Sequence, residues 1–274
     1  PLYDFLAKKI HSNRNSLVIT AGADAALRSC FDLCVRPKDT VITLSPTFAM
    51  VDIYIKFFKA KQIKIKYNSK LQLDYKKLIN SINSKVSLIV FANPNSPTGT
   101  ILNNKQILNI LNKAKDKGVI VLIDEAYFDF SGYTALPLIK RFSNLIIART
   151  FSKSFGLAGC RAGYLVSQPK LADRLYKLKP MYEINSIAAL TVFELLKKKE
   201  MVKKYLRETN HGKRYLISNL NFLNFKHLKS YANFLHIDFG RRKKFAEKLF
   251  DKENILIKGG PGVRGFENYL RVTL

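Results

Sequence analysis

Short apolar runs alternate along this chain with segments in which apolar residues recur every three or four positions. The runs are Leu17-Val18-Ile19-Thr20, Val41-Ile42-Thr43-Leu44, Val86-Ser87-Leu88-Ile89-Val90-Phe91, Val119-Ile120-Val121-Leu122-Ile123 and Leu145-Ile146-Ile147. Near-continuous hydrophobicity over about five residues predicts strands buried on both faces. Ile63-Lys64-Ile65-Lys66-Tyr67 alternates instead, which predicts a half-exposed strand, and residues 162–166 predict one more. Helical spacing occupies residues 2–10, 49–58, 73–84 and 104–117, and follows Asp24 through Ala25, Leu27, Cys30, Phe31 and Cys34. Asp24 is placed to act as the N-cap of that helix. Strand followed by helix, repeated, predicts an α/β class: a three-layer αβα architecture with a mostly parallel sheet.

The rhythm changes after Pro169. Helical patterns cover 171–178, 187–196 and 201–220, then a strand-like stretch 225–239, a basic helix 242–252, and short strands near 255–258 and 269–274. This predicts a smaller α+β domain. The expected division is a lead-in segment 1–15, a large domain 16–185 and a small domain 186–274. The chain opens on proline, and Leu270-Arg271-Val272-Thr273-Leu274 reads as an unfinished strand, so a fragment of a longer protein is expected.

Composition adds limits. Hydrophobic residues make up 47% of 274, enough for a sizeable core, and no stretch approaches the length of a membrane span. The start shows no signal-peptide pattern. A formal net charge of +27 raises the question of a polyanion partner. The lysines are spread along the whole chain, however, and clusters such as Lys197-Lys198-Lys199 and Arg241-Arg242-Lys243-Lys244 read as solvated helix faces. Neither nucleic acid nor membrane is expected as a partner. Cys30, Cys34 and Cys160 form no disulfide framework, and the four histidines lack metal-ligand spacing. A cytoplasmic setting and no metal are expected.

The polar residues that carry chemistry fall at predicted strand ends, where α/β sheets present groups to ligands. Ala21-Gly22-Ala23-Asp24 opens a helix whose free amides suit a phosphate. Phe48 follows a strand and is either a core residue or a flat cover for a ligand. Asn93-Pro94-Asn95-Ser96-Pro97-Thr98-Gly99 is a rigid loop whose asparagines are either turn formers or ligand contacts. Asp124, after five apolar residues, is expensive to bury unless it is paired. Lys153 lies between two serines beyond a strand, and an amine held in such a pocket can attack a carbonyl. Taken together, these groups suit a planar, phosphorylated heterocycle that bears an aldehyde and a basic ring nitrogen, which describes pyridoxal 5'-phosphate.

The run Ser152-Lys153-Ser154-Phe155-Gly156-Leu157-Ala158-Gly159-Cys160-Arg161-Ala162-Gly163, the Asn93–Gly99 loop and Asp124-Glu125-Ala126-Tyr127 resemble the class I/II aminotransferases of pyridoxal-phosphate fold type I. The likeness is greatest to the histidinol-phosphate aminotransferase branch and covers nearly the whole chain. It implies an enzyme that moves an amino group between an amino acid, glutamate foremost, and a 2-oxo acid or phosphorylated carbonyl compound. Lys153 would be tied covalently to the cofactor aldehyde and would shuttle the substrate Cα proton. Asp124 would pair with the ring nitrogen and Tyr127 would bond the ring hydroxyl. Ala23, Asp24, Thr150, Ser152 and Arg161 would hold the phosphate, and Phe48 would stack on the ring in place of the usual tyrosine. Arg271 would take the substrate carboxylate.

Two departures from the family pattern stand out. The family often carries Asn-Asn before Pro-Thr-Gly; here Ser96 holds the second place, so Asn95 is expected to supply the side-chain amide. The amino-terminal arm of longer members, which helps close the site and reaches a partner subunit in a homodimer, is absent from this sequence. Three other readings remain at this stage. One is a decarboxylase of a phosphorylated amino acid such as threonine phosphate. The others are a polyanion-binding protein and an inactive relative that keeps the fold.

Overall fold

The computed structural model describes residues 1–274. Helix α1 (Leu2–Lys9) leads into strand β1 (Leu17–Thr20), helix α2 (Gly22–Cys34), β2 (Thr40–Ser45), α3 (Ala49–Phe57) and β3 (Lys61–Lys66). Next come α4 (Tyr75–Ser81), β4 (Val86–Ala92), α5 (Asn104–Asp116), β5 (Ile120–Asp124) and the single turn α6 (Phe128–Ser131). Strands β6 (Leu145–Thr150) and β7 (Gly163–Val166) complete one seven-stranded sheet in the order β1-β7-β6-β5-β4-β2-β3. Its strands are mutually parallel except β7, which runs against both β6 and β1. The half-exposed strand expected from alternation is β3, at the sheet's edge.

Successive residues on these strands bury themselves on opposite faces, as the pleat requires. Ile89, Phe91, Val121, Ile123 and Ile147 join one core with α1, α4 and α5; Leu88, Val90, Leu122, Ile146 and Ala148 join the other with α2 and α3. The first core also takes Val192 and Leu196 from α8 (Ser186–Lys197), the second Leu171 and Leu175 from α7 (Pro169–Leu178). The result is a helix–sheet–helix sandwich. Because β1, β2, β4, β5 and β6 all point the same way, their carboxyl ends share one rim with the start of β7, and the polar motifs gather there.

A 24-residue helix, α9 (Lys199–Phe222), leads to a four-stranded antiparallel sheet ordered β10-β11-β9-β8. It contains β8 (His227–Leu228), β9 (Phe234–Asp238), β10 (Lys258–Gly259) and β11 (Tyr269–Thr273), with α10 (Lys243–Lys252) between β9 and β10. The stretch expected to be strand-like over 225–239 is thus two strands parted by a turn. Tyr231 N–H in that turn donates to Gly99 O at 2.8 Å, tying the small sheet to the Pro-rich loop. The helix expected over 73–84 is confined to Tyr75–Ser81, where Asp74 caps it by accepting from Lys77 N–H at 3.0 Å. The basic clusters lie mostly on exposed helix surface, and no helix is long and apolar enough to cross a membrane.

Candidate active site

The rim begins at the start of α2. Gly22, not Asp24, is the first residue of this helix, and it takes φ +83°, a conformation open to glycine. Asp24 therefore caps nothing; its carboxylate accepts the Tyr54 hydroxyl at 2.9 Å, a partner thirty positions away that local pattern could not reveal. The first-turn amides of Gly22, Ala23 and Asp24 have no helical acceptor and face the rim as donors. Gly163, opening β7, lies against them: a Cβ there would stand 2.6 Å from Arg149 O, 2.7 Å from the Gly22 carbonyl carbon and 2.9 Å from Ala23 N. A Cβ on Gly22 would meet the Arg161 guanidinium at 2.9 Å. Two bare backbones and one cation therefore form a cradle: no methyl group fits between Gly163 and the Gly22–Ala23 backbone, and the Arg161 guanidinium lies over Gly22.

Thr150, at the end of β6, adds its hydroxyl, 2.9 Å from that of Ser152. This donor-rich, cationic set suits a phosphate dianion. Asp124 ends the adjacent strand and is buried, with one carboxylate oxygen accepting Ala126 N–H at 3.0 Å and no protein donor on the other. Burial pushes its pKa up to about 6; the Ala126 amide and the charge of Lys153 work against that rise, and neighbouring Glu125 adds to it. Lys153 reaches the same space, its amine 5.2 Å from the Tyr127 ring centroid, with no ion pair or hydrogen bond to the protein. Phe48 stands at the N-cap of α3, across the rim, with 39% of its surface exposed.

The Asn95 side chain is turned into its own loop. Its amide nitrogen donates to Pro46 O at 3.1 Å and to Thr98 Oγ1 at 2.8 Å, so both protons are committed. Its Oδ1 is buried and has no partner. Arg271 approaches from the small sheet, stacked at 4.8 Å on the Phe234 ring, which meets Tyr127 edge-on at 5.7 Å. A run of aromatic contacts thus connects Lys153 with Arg271.

Sequence reasoning missed the support behind these groups. Arg149 and Glu125 form an ion pair at 2.8 Å with their side chains 4% and 1% exposed. The Glu125 carboxylate also accepts from Thr134 Oγ1 and Ala135 N–H, and Phe128 lies under the guanidinium at 3.6 Å. Ser154 Oγ bonds Asp129, anchoring the chain just after Lys153. The available signal was a charged residue within the otherwise apolar β6 and another directly after β5, since a buried charge demands a partner.

Asp124 gives a pH prediction for the cofactor-free protein. Its carboxyl titrates near 3.8 in the unfolded chain and about 6 when folded, so the native state holds the proton more tightly. Its contribution is complete below about pH 4 and is lost as pH rises through about 6. Urea titrations from pH 4 to 7 should show on the order of 2–3 kcal/mol of lost stability that is missing in Asp124→Asn. Identical pH profiles for the two proteins would contradict the burial argument.

The sequence profile described as aminotransferase class I and II matches residues 2–274. A histidinol-phosphate aminotransferase of Caldanaerobacter subterraneus subsp. tengcongensis is 33% identical over 278 residues, an alignment spanning 100% of this chain and 77% of that protein. One from Moorella thermoacetica is 28% identical, spanning 100% and 71%. Among solved structures, the histidinol-phosphate aminotransferase of Clostridium acetobutylicum superposes with a TM-score of 0.88 at 23% identity, covering 99% of this chain and 82% of that one. The Sinorhizobium meliloti enzyme, solved in complex with pyridoxal-5'-phosphate, gives 0.89 at 23%, covering 99% and 76%. The rim of backbone amides, carboxylate and lysine is therefore carried on the fold those structures share, and the chain belongs to the class I and II aminotransferases.

Proposed function

We propose that this aminotransferase is of the histidinol-phosphate type, exchanging an amino group between glutamate and a phosphorylated carbonyl compound. The cofactor is pyridoxal phosphate, and the residues present fit it: a cradle without room for a side chain at one end, a buried carboxylate with a free oxygen at the other, and an unpaired amine between. The observation that carries the reading is the meeting of Lys153 and Asp124 at the ends of neighbouring parallel strands, close enough for the charge of one to act on the other.

When bound, pyridoxal phosphate supplies an aldehyde for covalent attachment and a ring that withdraws electrons from the substrate Cα. The amides of Ala23 and Asp24, with Thr150, Ser152 and Arg161, bind the phosphate end. Asp124 keeps a proton on the ring nitrogen, Tyr127 donates to the ring hydroxyl, and Phe48 covers one face. Asn95 contributes through Oδ1, its one uncommitted polar atom. Lys153 Nζ takes the proton from the substrate Cα and later returns one. Arg271, which has no ion-pair partner, binds the substrate carboxylate with its planar fork. Lys243, Lys258, Arg264 and Arg271 face one carboxylate, Glu267, around a cleft of ≈ 670 Å³ that reaches Pro97; this excess of cations supports a substrate that carries phosphate.

A homodimer is part of the proposal. Met181, Tyr182, Ile187 and Leu190 are 80%, 88%, 78% and 62% exposed, an apolar surface that a second copy would cover. The test of function is single-turnover absorbance of the pyridoxal-phosphate-loaded protein mixed with L-glutamate, L-aspartate, L-phenylalanine, L-threonine phosphate and L-histidinol phosphate. Conversion of the cofactor to its aminated form is expected with glutamate and histidinol phosphate. Carbon dioxide release without amino transfer would overturn the reading in favour of a decarboxylase.

A further inference from the structure

His236 and Arg271 lie directly opposite each other on β9 and β11, so their side chains leave the small sheet on the same face. His236 is fully buried, and neither ring nitrogen has a hydrogen-bond partner. Buried polar groups are nearly always paired, and leaving one unpaired opposes folding. The Nε of Arg271 is likewise buried with no acceptor. An unused donor and a ring that can accept are therefore cross-strand neighbours. Both side chains pack on one ring: the Arg271 guanidinium lies 4.8 Å from the Phe234 centroid, and His236 meets that ring edge-on at 5.5 Å. Burial first, and the Arg271 charge second, push the His236 pKa down to about 4. The imidazole is neutral at ordinary pH, with one nitrogen protonated and the other an acceptor.

We propose that His236 is a positioning residue for Arg271: its unprotonated ring nitrogen accepts the Arg271 Nε–H as an anionic substrate draws the guanidinium into place. This fixes the plane of the fork and leaves both terminal nitrogens free for the substrate. A carboxylate at position 236 would neutralise the cation that has to attract the substrate. An aliphatic residue would leave the Nε donor unpaired in every state. A neutral histidine supplies the acceptor and leaves the charge intact. The inference rests on the reading of Arg271 as the carboxylate-binding residue.

The test uses the pyridoxal-phosphate holoenzyme with L-glutamate as amino donor, and compares the wild type with His236→Leu, His236→Gln, Arg271→Gln and the double variant His236→Leu/Arg271→Gln. His236→Leu should raise KM for glutamate about tenfold, the worth of one charge-assisted hydrogen bond, with kcat within about twofold and the bound-cofactor spectrum unchanged. His236→Gln, which restores an acceptor, should recover most of the loss. In the Arg271→Gln background His236→Leu should add nothing, because the residue it positions is gone. An unchanged KM in Arg271→Gln would sink the carboxylate reading itself. A raised KM in Arg271→Gln beside an unaltered His236→Leu, or full additivity of the two, would sink the positioning role alone. Should His236→Leu fail to fold, His236→Phe keeps a ring without an acceptor and is held to the same outcomes.

Discussion

Lys153→Ala is expected to abolish amino-group transfer, lowering kcat by about 10⁴-fold or more, while the protein stays folded and keeps its affinity for pyridoxal phosphate within about tenfold. The two halves of this expectation come from different observations. The Lys153 side chain has no hydrogen bond or ion pair in the protein, and its amine stands 5.2 Å from the Tyr127 ring centroid, so truncating it removes little that holds the fold. The loop around it is fixed independently by the Ser154–Asp129 bond and by the Thr150–Ser152 hydroxyl pair. The phosphate cradle and Asp124 also remain. What disappears is the amine proposed to bond the aldehyde and move the Cα proton; Lys9, whose charge reaches Asp129, is committed to Leu196 O at 2.7 Å. The measurement is a single-turnover assay with glutamate, paired with absorbance of the bound cofactor. Appreciable turnover in Lys153→Ala would refute the assignment of the reacting amine.

The largest effect on stability is expected at Glu125. Replacing it with alanine strands the Arg149 guanidinium, whose side chain is 4% exposed, without its counter-ion. Breaking a buried pair from one side costs about 3–5 kcal/mol. Thr134 Oγ1 and the Ala135 amide lose their acceptor as well. For a chain of this size that corresponds to a fall in Tm on the order of 10 °C. The double replacement Glu125→Leu/Arg149→Met removes the stranded charge and should recover a large part of the loss. The comparison separates a pair that stabilises from one that must simply not be broken. Equal Tm values for Glu125→Ala and the wild type, by calorimetry, would show that Arg149 finds other compensation.

How much of this was readable beforehand depends on the distance over which each signal acts. Strands β2, β4, β5 and β6 announce themselves because burial on both faces demands an unbroken apolar run, and sequence records that locally. Direction is not recorded: Leu17–Thr20 and Gly163–Val166 look like the other runs, yet β7 is the one strand that runs backward, because it returns from the Arg161 turn across the start of α2. Lys153 and Asp124 were legible as polar residues at strand ends, and their coming close enough for the charge of one to act on the other is a property of the shared rim. Asp24 was misread as a cap because a local rule was applied where a distant phenol, Tyr54, decides the geometry. Asn95 was expected to supply its side-chain amide, but which atom of that amide is free depends on Pro46 and Thr98, which take both of its protons. His236 gave no signal: one histidine among Phe234, Leu235 and Ile237 reads as a packed core ring, and only the register against Arg271 gives it a neighbour worth naming.

The contact between Gly163 and the Gly22–Ala23 backbone has a consequence for how this protein can change. Where two main chains touch with less than a methyl's width between them, mutation has nothing to adjust, since every side chain is too large. That wall of the site is in effect frozen, and inheritance can only keep it or lose it. If Arg271 binds the substrate as proposed, diversity in what the enzyme accepts is expected among the side chains borne by β9, β10 and β11. A library that varies those positions and leaves the glycines alone explores the adjustable half of the molecule.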